Sequence, residues 1–209
     1  MSRSSVSPAD RRLFLAGALM LTLANVELAK AQAAKGVSIN QSTADGRKVS
    51  AYFAEADKKD APVVILIHKW WGLNDNIKTM AEDIRAKGFY AIAIDLFNGS
   101  VATNRDEAKT QTKAVKASEA NATIAAWVDL AKANGNDKVA TLGWCFGGGW
   151  SLSATLNTKL DAAVIYYGRV TVNADSLQKL NTPRLGHFGT FTTNAPEIGF
   201  AFFNFDWHW

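Results

Sequence analysis

Cys145 is the only cysteine among 209 residues, and it lies in Gly143-Trp144-Cys145-Phe146-Gly147-Gly148-Gly149, directly after the apolar run Val139-Ala140-Thr141-Leu142. A thiol is a nucleophile once it ionises. Glycines two residues before and two residues after a nucleophile are the layout of a strand-to-helix elbow. The chain turns there so sharply that side chains at the flanking positions would collide, and the reactive atom is left exposed on a strained backbone. The competing reading is a small buried apolar cysteine. Three consecutive glycines opening a helix-like segment favour the elbow.

Such a turn needs a strand before it and a helix after it, and the flanking sequence supplies both. Val139–Leu142 reads as the strand and about Gly148–Asn157 as the helix. Upstream, Val37-Ser38-Ile39 and Val49–Phe53 flank an Asp45-Gly46 turn signal and predict an opening hairpin. Val63–Ile67 is a continuous β-branched run, the pattern of a strand buried on both faces. Ile77, Met80, Ala81 and Ile84 recur at helical spacing, Gly88 closes that helix, and Tyr90–Ile94 is the next strand.

Arg105 to Ala133 contains neither glycine nor proline and predicts a long helical segment. Asn104 and Glu107 are set for a capping box at its start, and Gly135 for its C-terminal cap. Ala162–Tyr167, a short helix near Asp175–Leu180 and a last strand Arg184–Phe188 complete the alternation. Strands alternating with helices predict an α/β fold with a mainly parallel sheet covered on both faces.

Hydrophobic residues make up 48% and charged residues 20% of the chain, the balance of an ordinary globular domain. Residues 1–33 read as a twin-arginine signal peptide. Arg11-Arg12 precedes an apolar run from Leu13 to Ala24, too short to span a bilayer, and Ala29-Lys30-Ala31 or Ala31-Gln32-Ala33 offers a cleavage site. Residues 34–209 are then the domain proper, in an exported, periplasmic protein with no stable membrane span once the signal is removed. The signal holds four basic and two acidic residues, so the net charge falls from +4 to +2 without it, and nothing points to nucleic acid. No His/Cys cluster suggests a metal, and Gly147-Gly148-Gly149 lacks the Gly-Lys-Ser/Thr ending of a phosphate loop.

An elbow cysteine late in an α/β chain resembles the dienelactone hydrolase family of the α/β-hydrolase fold. Val64–Asn74 is similar to that family's strand and oxyanion turn, Gly88–Phe97 to its next strand, and Ala163–Gly168 and Pro183–Gly189 to its later strands. The resemblance spans roughly residues 37–196. It implies hydrolysis of small esters or lactones by a Cys-Asp-His triad through an acyl-enzyme, with no cofactor. It also implies an oxyanion hole made of the backbone N–H groups of Phe146 and Trp70.

Three positions depart from the pattern that the resemblance implies. Lys69 stands where the family has a glutamate touching the resting thiol; one reading makes it a solvated lysine, the other a cation that lowers the thiol pKa. Thr192 stands where the triad aspartate is implied. The triad histidine is implied beyond a strand and helix that this chain is expected to lack. His68 and His187 read as structural, and His208, two residues from Asp206, lies in a tail rich in aromatics. The chain is therefore expected to depart from the family from about residue 197, by truncation or frameshift. Two readings stay open: a thiol hydrolase of small esters or lactones, and a catalytically inactive homologue acting at most as a small-molecule-binding domain. Trp70, Trp71, Trp144, Phe146 and the loop after Phe97 are expected to line the pocket; Arg105 is the one nearby candidate for a substrate carboxylate, its other reading being a solvated residue of the helix's first turn.

Overall fold

The computed structural model describes residues 36–134, 137–170, 173–178, 180–192 and 195–203. The signal peptide expected over residues 1–33, the Gly135 cap, and the tail with Asp206 and His208 lie outside them.

Eight strands form one sheet in the order β1-β2-β4-β3-β5-β6-β7-β8. β1 (Val37–Ser42) and β2 (Lys48–Ala54) make the expected hairpin, closed by the hydrogen bond from Thr43 N–H to the Arg47 carbonyl, with Gly46 at a φ of 84°. β3 (Val63–Ile67), β4 (Tyr90–Ile94), β5 (Val139–Trp144), β6 (Ala162–Tyr166) and β7 (Arg184–Thr192) run parallel to one another, and β4 pairs antiparallel with β2. β3 sits between β4 and β5, and its apolar side chains Ile65, Leu66 and Ile67 are fully buried. A continuous apolar run is what a central strand covered on both faces requires.

α1 (Asp75–Ala86) covers one face with Ile77 and Ala81, and the side chain of Asn74 caps it by accepting from Ile77 N–H. α3 (Ala117–Ala133) lies with the core on the other face, burying Ala120, Ile124, Trp127, Val128 and Ala131. α4 (Phe146–Asn157) follows β5 without a connecting residue other than Cys145, and α5 (Ala174–Gln178) is short.

Two expectations are corrected. The segment from Arg105 to Ala133 is two helices, α2 (Arg105–Ala114) and α3, because Val115 leaves the helix with an extended backbone and packs against the core. α2 is polar, with Ala108 buried, whereas α3 carries an apolar stripe, and the break lets each take its own direction. Asn104 caps α2 as expected, but Glu107 reaches back to the N–H and hydroxyl of Thr103. Arg184–Phe188 is also not the last strand. β7 continues to Thr192, and β8 (Ala195–Phe203) pairs with it antiparallel, with Thr192 opposite Ala195, so the edge of β7 is paired in this structure.

Candidate active site

Cys145 joins β5 to α4 with φ 54° and ψ −114°, a conformation that non-glycine residues avoid, and its thiol is exposed. Its N–H donates to the Tyr166 carbonyl on β6, and its carbonyl accepts from Gly149 N–H. The glycines are required by crowding. A Cβ on Gly143 would stand 2.8 Å from Gly148 N and closer still to the Gly147 carbonyl. A Cβ on Gly147 would stand 2.6 Å from the His68 carbonyl oxygen and closer to that of Ile67. Gly148 packs just as tightly, 2.8 Å from the Tyr166 carbonyl oxygen and from Gly168 Cα. The elbow of α4 is thus wedged between the ends of β3 and β6.

The end of β3 turns at Lys69–Gly72, where Gly72, at a φ of 93°, donates to the Lys69 carbonyl. Among the described residues the N–H groups of Trp70 and Phe146 have no protein acceptor. Phe146 is the first residue of α4, so its N–H has no partner within the helix.

His68 is fully buried between these parts. Its Nδ1 is 2.6 Å from the Lys69 carbonyl oxygen, and its Nε2 accepts from Leu96 N–H at 3.1 Å. The ring stacks on Phe146 at 5.8 Å and meets Phe97 edge-on at 4.6 Å. Burial holds His68 below the ordinary imidazole range, outweighing the Lys69 carbonyl bond and the charge of Asp95. Asp95 Oδ1 is 3.9 Å from Nε2, and the carboxylate accepts from Phe97 and Gly99 N–H and from Ser50 Oγ. Both ring nitrogens of His68 are therefore committed, and it is not placed to take a proton from the thiol.

The remaining expected residues are scattered. Lys69 Nζ donates to Asn76 Oδ1 at 3.3 Å. Trp144 packs with the α1 side of the sheet and stacks on Tyr166, while Phe146 packs with the core on the opposite side. Trp70 and Trp71 meet edge-on at 5.2 Å. Arg105 is the exposed first residue of α2. A cavity of about 210 Å³ lies beside the loop after Phe97, lined by Arg47, Asp95, Phe97 and Gln111 among others, and includes neither Cys145 nor any tryptophan. His187 stacks on Tyr166 at 4.5 Å.

Tyr167 is the residue that sequence reasoning missed. It follows β6, has a φ of 42°, is 53% exposed and donates its N–H to the His187 carbonyl. Burial of its partly covered phenol, and then the charge of Cys145, raise its pKa. The signal in the sequence was an aromatic pair running into Gly168 at a strand end, which periodicity alone reads as more strand.

Parallel order around β3 and β5, antiparallel flanks and a strained, exposed cysteine between strand and helix define an α/β-hydrolase fold. A model of the dienelactone hydrolase family matches residues 49–196, and the chain belongs to that family. The protein usf of Aquifex pyrophilus is 31% identical over 150 residues, 66% of this chain and 64% of that one. The chain thus spans less than two-thirds of that relative's length. A Saccharolobus solfataricus protein provisionally named a carboxymethylenebutenolidase is 24% identical over 181 residues, 68% of this chain and 70% of that one. Among solved structures, a dienelactone hydrolase-like promiscuous phosphotriesterase from metagenomic libraries superposes with a TM-score of 0.62 at 23% identity, over 74% of this chain and 69% of that one.

Proposed function

We propose that the protein is a thiol hydrolase of small esters or lactones in which Cys145 forms an acyl-enzyme. The observation that carries this is the positive φ of Cys145 together with its exposed thiol. A strained backbone at an exposed nucleophile persists only where the surroundings enforce it, and here three glycine contacts do so. Family membership supports the substrate class.

In the proposed reaction the Cys145 thiolate attacks the carbonyl carbon. A C–S bond forms and the electron pair moves to the carbonyl oxygen, where Trp70 and Phe146 N–H hold it. The pair returns, the C–O bond to the leaving group breaks, and the leaving oxygen takes the phenolic proton of Tyr167. Water returns a proton to the phenoxide, the hydroxide so formed bonds to the acyl carbon, and the C–S bond breaks to release the acid and regenerate the thiolate. Tyr167, whose phenol stays protonated in the neutral range and feels the charge of Cys145, is the neutral donor proposed for the leaving oxygen.

A second reading is favoured by the histidines. His68 has both nitrogens bound to backbone, His187 stacks on Tyr166, and Thr192 occupies the position implied for the triad acid. On that reading the domain is inactive and binds small carbonyl compounds. A stopped-flow assay with p-nitrophenyl acetate, alongside Cys145→Ala, separates the two. A burst lost in the variant and followed by steady turnover supports the hydrolase; a burst without turnover marks a site that acylates but does not deacylate. No burst from folded protein leaves the binding reading. The address is proposed with the function: residues 1–33 direct export to the periplasm, and Arg11→Lys with Arg12→Lys is expected to leave the product in the cytoplasm on fractionation.

A further inference from the structure

We propose that His68 is a positioning residue that aims both backbone donors of the oxyanion hole. This rests on the role given above to Trp70 and Phe146 N–H. Leu96 N–H occupies Nε2, which must therefore be the unprotonated nitrogen of the neutral ring. The proton is on Nδ1, and Nδ1–H donates to the Lys69 carbonyl.

The two bonds do different work. The Nε2 bond ties the end of β3 to the residue after Asp95 at the end of β4, a tertiary link across 28 positions. The Nδ1 bond reaches only the next residue and adds no such link. What it fixes is the plane of the Lys69–Trp70 peptide. In a trans peptide the carbonyl and the N–H point in opposite directions. Holding the Lys69 carbonyl against the imidazole, with Gly72 N–H on the same oxygen, turns Trp70 N–H away from the buried ring and leaves it without a protein acceptor among the described residues. The other face of the same side chain stacks on Phe146, which carries the second N–H. One ring thereby sets both donors, one through a hydrogen bond and one through packing.

Asparagine and glutamine separate these roles. The amide nitrogen of His68→Asn reaches the place of Nδ1, and the amide oxygen of His68→Gln the place of Nε2. Acylation by p-nitrophenyl acetate develops an oxyanion, whereas alkylation of the thiol by iodoacetamide does not. Both variants lose the ring that packs on Phe146, but only His68→Asn keeps the bond to the Lys69 carbonyl. His68→Asn is therefore expected to lose acylation by a few-fold and His68→Gln by a further roughly 10-fold or more, approaching the loss of one oxyanion donor. Both variants should be alkylated at the wild-type rate.

Equal loss of acylation in the two variants, or acylation and alkylation falling together, would overturn the proposal. If the wild-type chain is alkylated but never acylated, the hydrolase reading fails, and the Trp70 amide resonance decides positioning by itself. A shift in His68→Gln and none in His68→Asn supports it; no shift in either overturns it. Should neither variant fold, ¹⁵N imidazole spectra of the wild-type protein decide, since a proton on Nε2 is incompatible with the proposal.

Discussion

The backbone of Gly147 lies against the carbonyl oxygen of His68, so closely that a Cβ on Gly147 would stand 2.6 Å from it. This contact brings the helix that carries Phe146 up to the strand end that carries Trp70. Gly147→Ala must push the two apart. The expected cost is about 1–3 kcal/mol, the usual range for overpacking, read as a lower urea midpoint. Acylation should fall further than stability alone explains. A wild-type midpoint for Gly147→Ala would show that the elbow is looser than the contact implies.

Cys145 holds a backbone conformation that costs roughly 1–3 kcal/mol for a residue with a Cβ. Cys145→Gly should release that strain while abolishing acylation. Cys145→Ala keeps the strain and serves as the control, so the glycine variant is expected to be the more stable of the pair by about 1 kcal/mol, after allowing for the greater chain entropy of glycine. An alanine variant as stable as the glycine variant, by denaturant titration, would mean that the turn is not strained in solution.

Tyr167 and Cys145 should titrate as neighbours. Burial first, and then the Cys145 charge, raise the phenol. Removing the charge in Cys145→Ser should bring the ionisation of Tyr167 down in pH. Ultraviolet absorbance titration, taken as the difference from Tyr167→Phe, reads this directly. An identical curve in Cys145→Ser would separate the two groups. Tyr167→Phe is expected to slow acylation with little change in melting temperature, because a half-exposed hydroxyl contributes little to the fold.

His68 gives stability a sign with pH. Its folded pKa lies below the unfolded value near 6.5, so the unfolded chain takes up a proton that the folded chain resists. The stabilisation is present above about pH 6.5 and is lost as pH falls through the depressed folded pKa. The Asp95 carboxylate at 3.9 Å acts in the opposite sense and limits the effect. Chemical denaturation between pH 7 and pH 4 should show a loss in the wild-type protein that His68→Asn lacks. Parallel profiles for the two would exclude His68 as its source.

The sequence by itself determined most of the elements and the elbow around Cys145. Val63–Ile67 and Tyr90–Ile94 read as buried strands because their apolar runs are continuous, and the glycines around Cys145 read as an elbow because no other residue fits such a turn. Asn104 was legible as a cap because the pattern is local. Tertiary structure decided what depends on partners distant in the chain. Val115 breaks a segment free of glycine and proline because the core it meets lies elsewhere in the sequence. Trp144 and Phe146, two positions apart across the elbow, pack on opposite sides of the sheet. His68 is held by Leu96 and stacks on Phe146, and neither contact leaves a trace in local spacing. Periodicity reports which face a residue takes along its own element; only the packing of that element against others fixes what its polar atoms meet.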